Sequence, residues 1–473
     1  FQMPKRKSGR LGCESENRLR AAVLTNFRLS PKYSNSSNKK SLLADMTCAK
    51  PFPFLQLDNF VDDEFGDLLT LENELRELEW QRKENDLYCL SQTCDLKALT
   101  PMSSPALYSF RRFLCSRVRE WLSSFTGVDL TEEVDATGSC YSLHDHLLPH
   151  SDLIGTRHFA FVFYLTPPEW RESDGGSLSL FSADALHLPT TVHRNLLPIR
   201  NSFVLFEVSR RSWHRVEEVV SGKDRLSING WFHSSRALDP APPIPPSLQM
   251  QTLTSKKSGI STFVSTRFLK ESLLRQTSKF FSEGSQIQLQ DFFKKDFHDA
   301  IREELRSASF ATRGPPNKRH LSETVDKSLG PRSRATFSLL TSKRFASFME
   351  KLVGLTLTEC KVSLRVLRLE RGSYSIAGDE DVQASIPLGS CLEVHFVIGD
   401  EKWKEASGGA IVYAAAEEQD EILRIVPESR SVSVVLREPE VFSFFKYANS
   451  SSGEPFFLLT LTYYNVNTSQ GDS

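Results

Sequence analysis

"HSDLIGTRHFAFVFYLTPPEW", His150 to Trp170, sets a histidine and an aspartate one residue apart ahead of a run rich in β-branched and aromatic side chains. Such a run, closed by "TPP", predicts a strand, so the polar pair stands at the rim of a sheet. His150 and Asp152 can supply two metal ligands from one strand end, because residues i and i+2 project from the same side of an extended chain. The two-histidine, one-carboxylate arrangement that holds Fe(II) needs two neutral imidazoles and a carboxylate on one face of the ion, leaving the opposite positions open. The third ligand must then come from a distant strand, and His214 in "SRRSWHRVEEVV" is the natural candidate. A lone His-x-Asp among eleven histidines is weak evidence, so the surroundings have to decide.

Redox chemistry on iron also needs a two-electron donor held beside it. The forked guanidinium of arginine grips a carboxylate such as that of 2-oxoglutarate through paired, charge-assisted hydrogen bonds. Arg225 opens the run "RLSINGWFH" just beyond His214, and Ser227, on the same face, could add a hydroxyl. From Tyr141 to His233 the chain is a series of short β-rich runs broken by turn residues: "HFAFVFYLT", "GGSLSLFS", "NSFVLFEV", "WHRVEEVV" and "RLSINGWFH". An α+β, mainly β class follows, a barrel or sandwich behind flanking helices. Leu68, Leu71, Leu75 and Leu78 recur at helical spacing behind the capping candidates Asp62 and Asp63, and Leu107, Phe110, Leu114, Val118 and Trp121 predict a second amphipathic helix.

The second half resembles the first. Gly175 and Gly176 fall on Gly408 and Gly409, and the same shift takes Tyr141 to Tyr374, Trp170 to Trp403 and "LSINGWFH" to "LTLTYYNV". This predicts a duplicated β-fold. Under that shift His150 becomes Gln383, Asp152 Ser385, His214 Tyr447 and Arg225 Leu458. The chemical residues are lost while scaffold glycines and aromatics persist, the pattern of one live site and one non-catalytic copy. The proline-dense "DPAPPIPP" after Leu238 is stiff and extended. The expected order is a basic, disordered tail over 1–48, a catalytic domain over 49–238, a linker over 239–262 and a non-catalytic domain over 263–473.

Bulk composition narrows the classes. At 473 residues, and roughly 150 per domain, two large domains fit. No apolar run approaches the roughly 18 residues of a membrane span, so none is predicted. A formal net charge of -1 gives no overall attraction to nucleic acid, and no direct nucleic-acid partner is predicted. The first forty residues hold ten Lys or Arg against two Glu, with "PKRK" at Pro4 to Lys7, a candidate nuclear address. Eight cysteines without a Cys-x-x-Cys pair suggest a reducing compartment, nucleus and cytoplasm. Cys140 reads as a core residue, and His144, Asp145 and His146 as surface groups or supports for the ligands. A zinc hydrolase using His144, His146 and His150 is conceivable but leaves Arg225 without a purpose.

The ordered set "CYSLHDHLLPHSD", "GTRHFAFVFYLTPP", "GGSLSLFS", "SWHRVEEV" and "RLSINGWFH", with "TRGPPNKR", "GGAIVY" and "LLTLTYYN" further on, resembles the intracellular iron- and 2-oxoglutarate-dependent prolyl 3-hydroxylases that act on a small-subunit ribosomal protein. The resemblance spans Leu57 to Asn465. It implies two tandem double-stranded β-helix (jelly-roll or cupin-like) domains, the first catalytic. It also implies Fe(II) on His150, Asp152 and His214, with O2 as oxidant and ascorbate as a supporting reductant. The 2-oxoglutarate carboxylate would sit on Arg225, with Tyr164 adding a phenol hydrogen bond. Translation or mRNA-metabolism factors are further expected partners. Ser151 departs from the acidic residue usual between the first ligands, and a long acidic insertion of some members is absent. Two rivals are a Jumonji-type lysine demethylase or hydroxylase, whose cosubstrate is usually held by lysine, and a non-enzymatic scaffold.

Overall fold

Two strands decide which side chains reach the site, and both obey the two-residue repeat of a pleated sheet. The computed structural model describes residues 27–62, 64, 66–237, 249–255, 259–325, 328–377, 386–399, 403–415 and 421–467. The chain divides into two units, Phe1–Ala241 and Pro242–Ser473. In the first, the strands are β1 (Phe54–Leu57), β2 (Gln81–Glu84), β3 (Tyr88–Gln92), β4 (Leu130–Tyr141), β5 (His146–His150) and β6 (Arg157–Tyr164). They continue with β7 (Leu178–Ala183), β8 (Pro189–Leu196), β9 (Phe203–Glu207), β10 (His214–Val216) and β11 (Arg225–Ser234). Antiparallel pairing runs β1-β9-β6-β11-β4-β3-β5-β10-β7-β8, with β2 as a hairpin partner of β3. This long sheet curls into a nearly closed barrel, the double-stranded β-helix.

On β6, Phe159, Phe161 and Phe163 turn outward to a core shared with Leu71, Leu75, Phe110, Leu114 and Val118 of the helical segments. Ala160 and Tyr164 turn inward. On the neighbouring β11, Leu226, Ile228 and Phe232 face the helices, while Arg225, Ser227, Asn229 and Trp231 face the barrel cavity. Burying the apolar row of each strand therefore fixes where the polar row points; a slip of one residue would exchange the two.

The helices form where their leucines are spaced, with one change of cap. Leu68–Glu77 is capped by Asp67, whose carboxylate accepts from Thr70 N at 2.9 Å. Asp62 instead accepts from Glu64 N at 3.1 Å in the preceding turn, and Asp63 lies outside the described residues. Pro105–Thr126 is helical throughout, with a π-type turn at Leu114–Val118.

Two boundaries differ from the sequence reading. The tail expected to reach residue 48 is folded from Phe27: Tyr33, Leu42 and Met46 are buried, and the Trp121 indole N–H donates to Tyr33 O at 3.0 Å. A few isolated apolar residues suffice there because they dock on a helical face that is already formed. The linker expected over 239–262 lies outside the described residues at 239–248 and 256–258; within it Gln251–Thr252 pairs with the strand Lys361–Leu369, and Leu253 joins the second core. "PKRK" lies outside the described residues.

The second unit repeats the plan, but not in one constant register. Trp170 Nε1 donates to Gly175 O at 2.9 Å, and Trp403 Nε1 to Gly408 O at the same distance, as the shift of 233 requires. Farther along it slips. His214 pairs with Leu180, whereas Tyr413, the counterpart of Leu180, pairs with Ser443. Arg225 pairs with Tyr141 at one edge of its ladder, and the equivalent pair is Phe456 with Leu369. The counterparts of His214 and Arg225 are thus Ser443 and Phe456 rather than Tyr447 and Leu458, and Tyr141 matches Leu369 rather than Tyr374. Loops of unequal length moved the register. Gln383 and Ser385, the expected counterparts of His150 and Asp152, lie outside the described residues. Among the described residues, no helix is long and apolar enough to cross a membrane.

Candidate active site

The cavity of the first barrel is about 230 Å³ and is lined by strands on both sides of the barrel, with the β2–β3 hairpin forming one wall. His150 at the end of β5 and His214 at the start of β10 are directly opposed across a ladder, and their ring centroids are 4.2 Å apart. Asp152 reaches both: its carboxylate oxygens lie 3.5 Å from His150 Nε2 and 3.4 Å from His214 Nε2. These three are the one cluster of at least three His, Cys, Asp or Glu found with metal-binding spacing among the described residues. The alternative set of His144, His146 and His150 is not assembled; His144 pairs with Glu218 at 2.8 Å and His146 Nδ1 bonds His144 O at 3.0 Å.

The route that brings Asp152 to the cluster is not the pleat. β5 ends at His150, and Asp152 sits beyond it with φ 49°, in the left-handed region that aspartate tolerates better than most residues. A turn, not continuing strand geometry, aims the carboxylate at the imidazoles.

Each imidazole is fixed from behind. His150 Nδ1 bonds Leu148 O, and His214 Nδ1 bonds Ser212 O, both at 2.9 Å. A carbonyl can only accept, so Nδ1 carries the proton and Nε2 presents its lone pair to the cavity. Burial, then the neighbouring His214, brings His150 down to about 4, so it is neutral at physiological pH. Burial alone would raise the Asp152 carboxyl, but His214 and His150 outweigh it and hold it well below the usual carboxylate range. Two imidazole Nε2 atoms and one carboxylate oxygen therefore converge. Donors bound to one ion at about 2.1 Å and right angles stand about 3 Å apart, so the observed spacings close on a ferrous ion with a small inward movement.

Beside this cluster lies Arg225, 1% exposed. Its Nε donates to Gly176 O at 2.6 Å and one terminal nitrogen to Tyr164 Oη at 3.2 Å. The guanidinium is flanked by the Tyr141 and Tyr164 rings, 5.0 and 4.9 Å from their centroids. No carboxylate pairs with it among the described residues. Removing a charge from water is costly without a counter-ion, so this arrangement fits a carboxylate brought by a ligand. Gly176 makes the approach possible: at φ +69°, an added Cβ would stand 2.9 Å from Arg225 Cδ. Ser227 Oγ and Asn229 Oδ1, on the same face of β11, are buried without a hydrogen-bond partner, while the Trp231 indole beside them helps to hold the Asp152 carboxyl down. Buried polar atoms are normally satisfied, so Ser227 and Asn229 too are groups that fit a ligand.

All six predicted site residues thus line or adjoin one cavity. Missed were Tyr141, Gly176, Asn229, Trp231 and Arg157, whose guanidinium stacks 3.5 Å from the Trp231 ring centroid. Alternation along "RLSINGWFH" could have found Asn229 and Trp231; Arg157 and Gly176 carry no such signal. Cys140 is half-buried, its thiol pushed up to about 11 by burial, which suits a core residue.

Fold and site together define an oxygenase of the Fe(II) and 2-oxoglutarate class. Residues 136–233 match the 2OG-Fe(II) oxygenase superfamily, and residues 255–472 match the family described as oxoglutarate and iron-dependent oxygenase degradation C-term. The chain is 31% identical over 446 residues to prolyl 3-hydroxylase OGFOD1 of Xenopus laevis, covering 85% of this chain and 82% of that protein. Identity to prolyl 3-hydroxylase sudestada1 of Drosophila melanogaster is 28% over 430 residues, covering 82% and 79%. Among solved structures, a Pseudomonas putida prolyl-4-hydroxylase aligns at 20% identity and a TM-score of 0.34, covering 42% of this chain and all of that one. The chain belongs to the OGFOD1 family of prolyl 3-hydroxylases.

Proposed function

We propose that this 2-oxoglutarate-dependent prolyl hydroxylase acts at carbon 3 of a proline in an extended loop of a small-subunit ribosomal protein. In that reading His150, Asp152 and His214 hold Fe(II), while Arg225, Tyr164 and Ser227 hold the far carboxylate of 2-oxoglutarate. The observation that carries it is the convergence of the three ligands in one cavity with a buried guanidinium that has no carboxylate partner. Bound iron and cosubstrate supply the oxidising power, decarboxylating 2-oxoglutarate to succinate as oxygen is inserted into a C–H bond.

The chain itself supplies geometry. The backbone carbonyls of Leu148 and Ser212 keep both Nε2 lone pairs aimed inward. Arg225 sets the depth and direction of the cosubstrate, and the Tyr141 and Tyr164 rings screen that ion pair from water. A proline can enter only from an extended segment, because the ligands lie inside the barrel. The Jumonji-type reading is disfavoured by the cations present: Lys83 sits on the β2 hairpin strand and donates to Gln92 Oε1 at 2.6 Å, while the buried cation is Arg225. Ascorbate is proposed to sustain turnover, the basic arm to allow nuclear as well as cytoplasmic residence, and translation or mRNA-metabolism factors to be further partners.

The test is twofold. Protein loaded anaerobically with Fe(II) and then given oxygen should form succinate from 2-oxoglutarate, and small-subunit ribosomal proteins from cells with and without it should differ by about 16 daltons, one oxygen atom, on one proline-containing peptide. Succinate without that mass difference would retire the ribosomal substrate and keep the oxygenase; neither signal would favour a scaffold.

A further inference from the structure

One inward side chain of β11 is left over once iron and cosubstrate have been provided for. Arg225 and Ser227 serve the carboxylate end of the cavity, and Asn229 stands one pleat further along the strand, about 7 Å on, between Ser227 and Trp231. Its Oδ1 is buried and has no hydrogen-bond partner among the described residues. The far carboxylate of 2-oxoglutarate cannot satisfy it, because both are acceptors. A residue kept only for packing would be apolar here, since an unsatisfied buried acceptor works against folding. What Asn229 lacks is a donor.

Beside it stands a group with the opposite need. The Arg157 guanidinium lies over the Trp231 ring, 3.5 Å from its centroid. It lines the same cavity, half-buried, and its N–H groups have no acceptor among the described residues. The ring beneath is set from the metal side, because the Trp231 indole helps to hold the Asp152 carboxyl down. Arg157 and Asn229 therefore present unused donors and an unused acceptor from neighbouring strands, β6 and β11.

Proline dictates which groups of a peptide match them. Its nitrogen carries no hydrogen, so the donor nearest the ring is the N–H of the residue that follows. The nearest acceptors are the carbonyls on either side of the ring. We propose, resting on the hydroxylase reading of this cavity, that Asn229 accepts the backbone N–H of the residue after the target proline and that Arg157 donates to a carbonyl flanking it. Asn229 is then a specificity determinant. A proline followed by a second proline lacks the donor and is a poor target, whereas the neighbouring side chains are free to vary.

The test loads the full chain with Mn(II) and 2-oxoglutarate, so that a peptide binds without turning over. The probes are acetyl-Ala-Ala-Pro-Ala-Ala-amide and the same peptide with N-methylalanine directly after the proline, read by Mn(II)-driven broadening of the proline ring protons. The unmethylated peptide should bind at least about tenfold more tightly. In Asn229→Leu that difference should vanish, both peptides binding weakly, with a melting temperature no lower than that of the unaltered chain. Arg157→Met keeps an unbranched chain over the indole but has no N–H; it should weaken both peptides by about tenfold and preserve the preference between them. The proposal is overturned by a preference that survives Asn229→Leu, by no preference in the unaltered chain, by binding indifferent to Arg157→Met, or by no broadening from either peptide at millimolar concentration. Failure of the hydroxylase reading shows separately, as no succinate from Fe(II)-loaded protein given oxygen.

Discussion

At Arg225 the chain spends stability on function. The guanidinium is buried between two tyrosine rings with no carboxylate of its own, so Arg225→Leu should abolish 2-oxoglutarate-dependent succinate formation while leaving the far-ultraviolet dichroism intact and the melting temperature unchanged or raised, because an uncompensated buried charge is removed. Arg225→Lys keeps the charge but loses the fork; kcat/KM should fall by about 1.5–3 kcal/mol of carboxylate binding, that is roughly tenfold to a hundredfold, with the loss mainly in KM for 2-oxoglutarate. His150 gives a pH signature. Its folded value, brought down to about 4, lies below the ordinary 6.5, so between these values the unfolded chain binds the extra proton. Metal-free protein should therefore lose stability as pH falls from about 6.5 toward 4. His150→Gln should flatten that part of the melting-temperature profile. The lowered Asp152 carboxyl adds a loss only at more acidic pH, as it protonates. Histidine, arginine and tyrosine identities were legible in sequence; the left-handed turn that delivers Asp152 and the carbonyls behind each imidazole were not, because backbone conformation and carbonyl direction leave no mark in residue type.

Strands β6 and β11 place the chemistry by burying its opposite. Phe159, Phe161 and Phe163 are held by the helices, and that packing turns Tyr164 inward; Leu226, Ile228 and Phe232 do the same for Arg225, Ser227, Asn229 and Trp231. Gly230 is the contact point of β11 with β4: a Cβ there would stand 1.8 Å from Asp135 O. Gly230→Val should part the two strands and destroy cooperative folding of the first unit, read as loss of its protected amides in hydrogen exchange. Gly230→Ala should be a milder form of the same defect. The alternation of both strands was visible in "HFAFVFYLT" and "RLSINGWFH", so the element type and its two faces could be read in advance. Helix ends could not: Asp67 caps where Asp62 and Asp63 were expected, since capping depends on which carboxylate meets the free amides of the first turn.

Across the molecule, two barrels of one ancestry have parted in chemistry. Only the first gathers a metal cluster among the described residues, so Mn(II), a redox-silent stand-in for iron, together with 2-oxoglutarate should raise one calorimetric transition and leave another where it was. At a hundredfold excess over Kd the shift corresponds to about 2.7 kcal/mol, and His214→Ala should remove it. Movement of every transition together would show that the units unfold as one. The duplication itself was legible because tryptophan and paired glycines mark one structural corner in both halves. A single shift could not carry the comparison to His214 or Arg225, since the intervening loops differ in length and only hydrogen-bond pairing shows that Ser443 and Phe456 stand in their places. The amino-acid sequence by itself determined the class of fold and singled out the His150, Asp152 and His214 cluster and the guanidinium, because alternation and residue chemistry are local properties. Only the tertiary structure decided that Arg225 is buried without a counter-ion and that Asn229 faces the same cavity with an unused acceptor, because burial and partnership are relations among segments far apart in the chain.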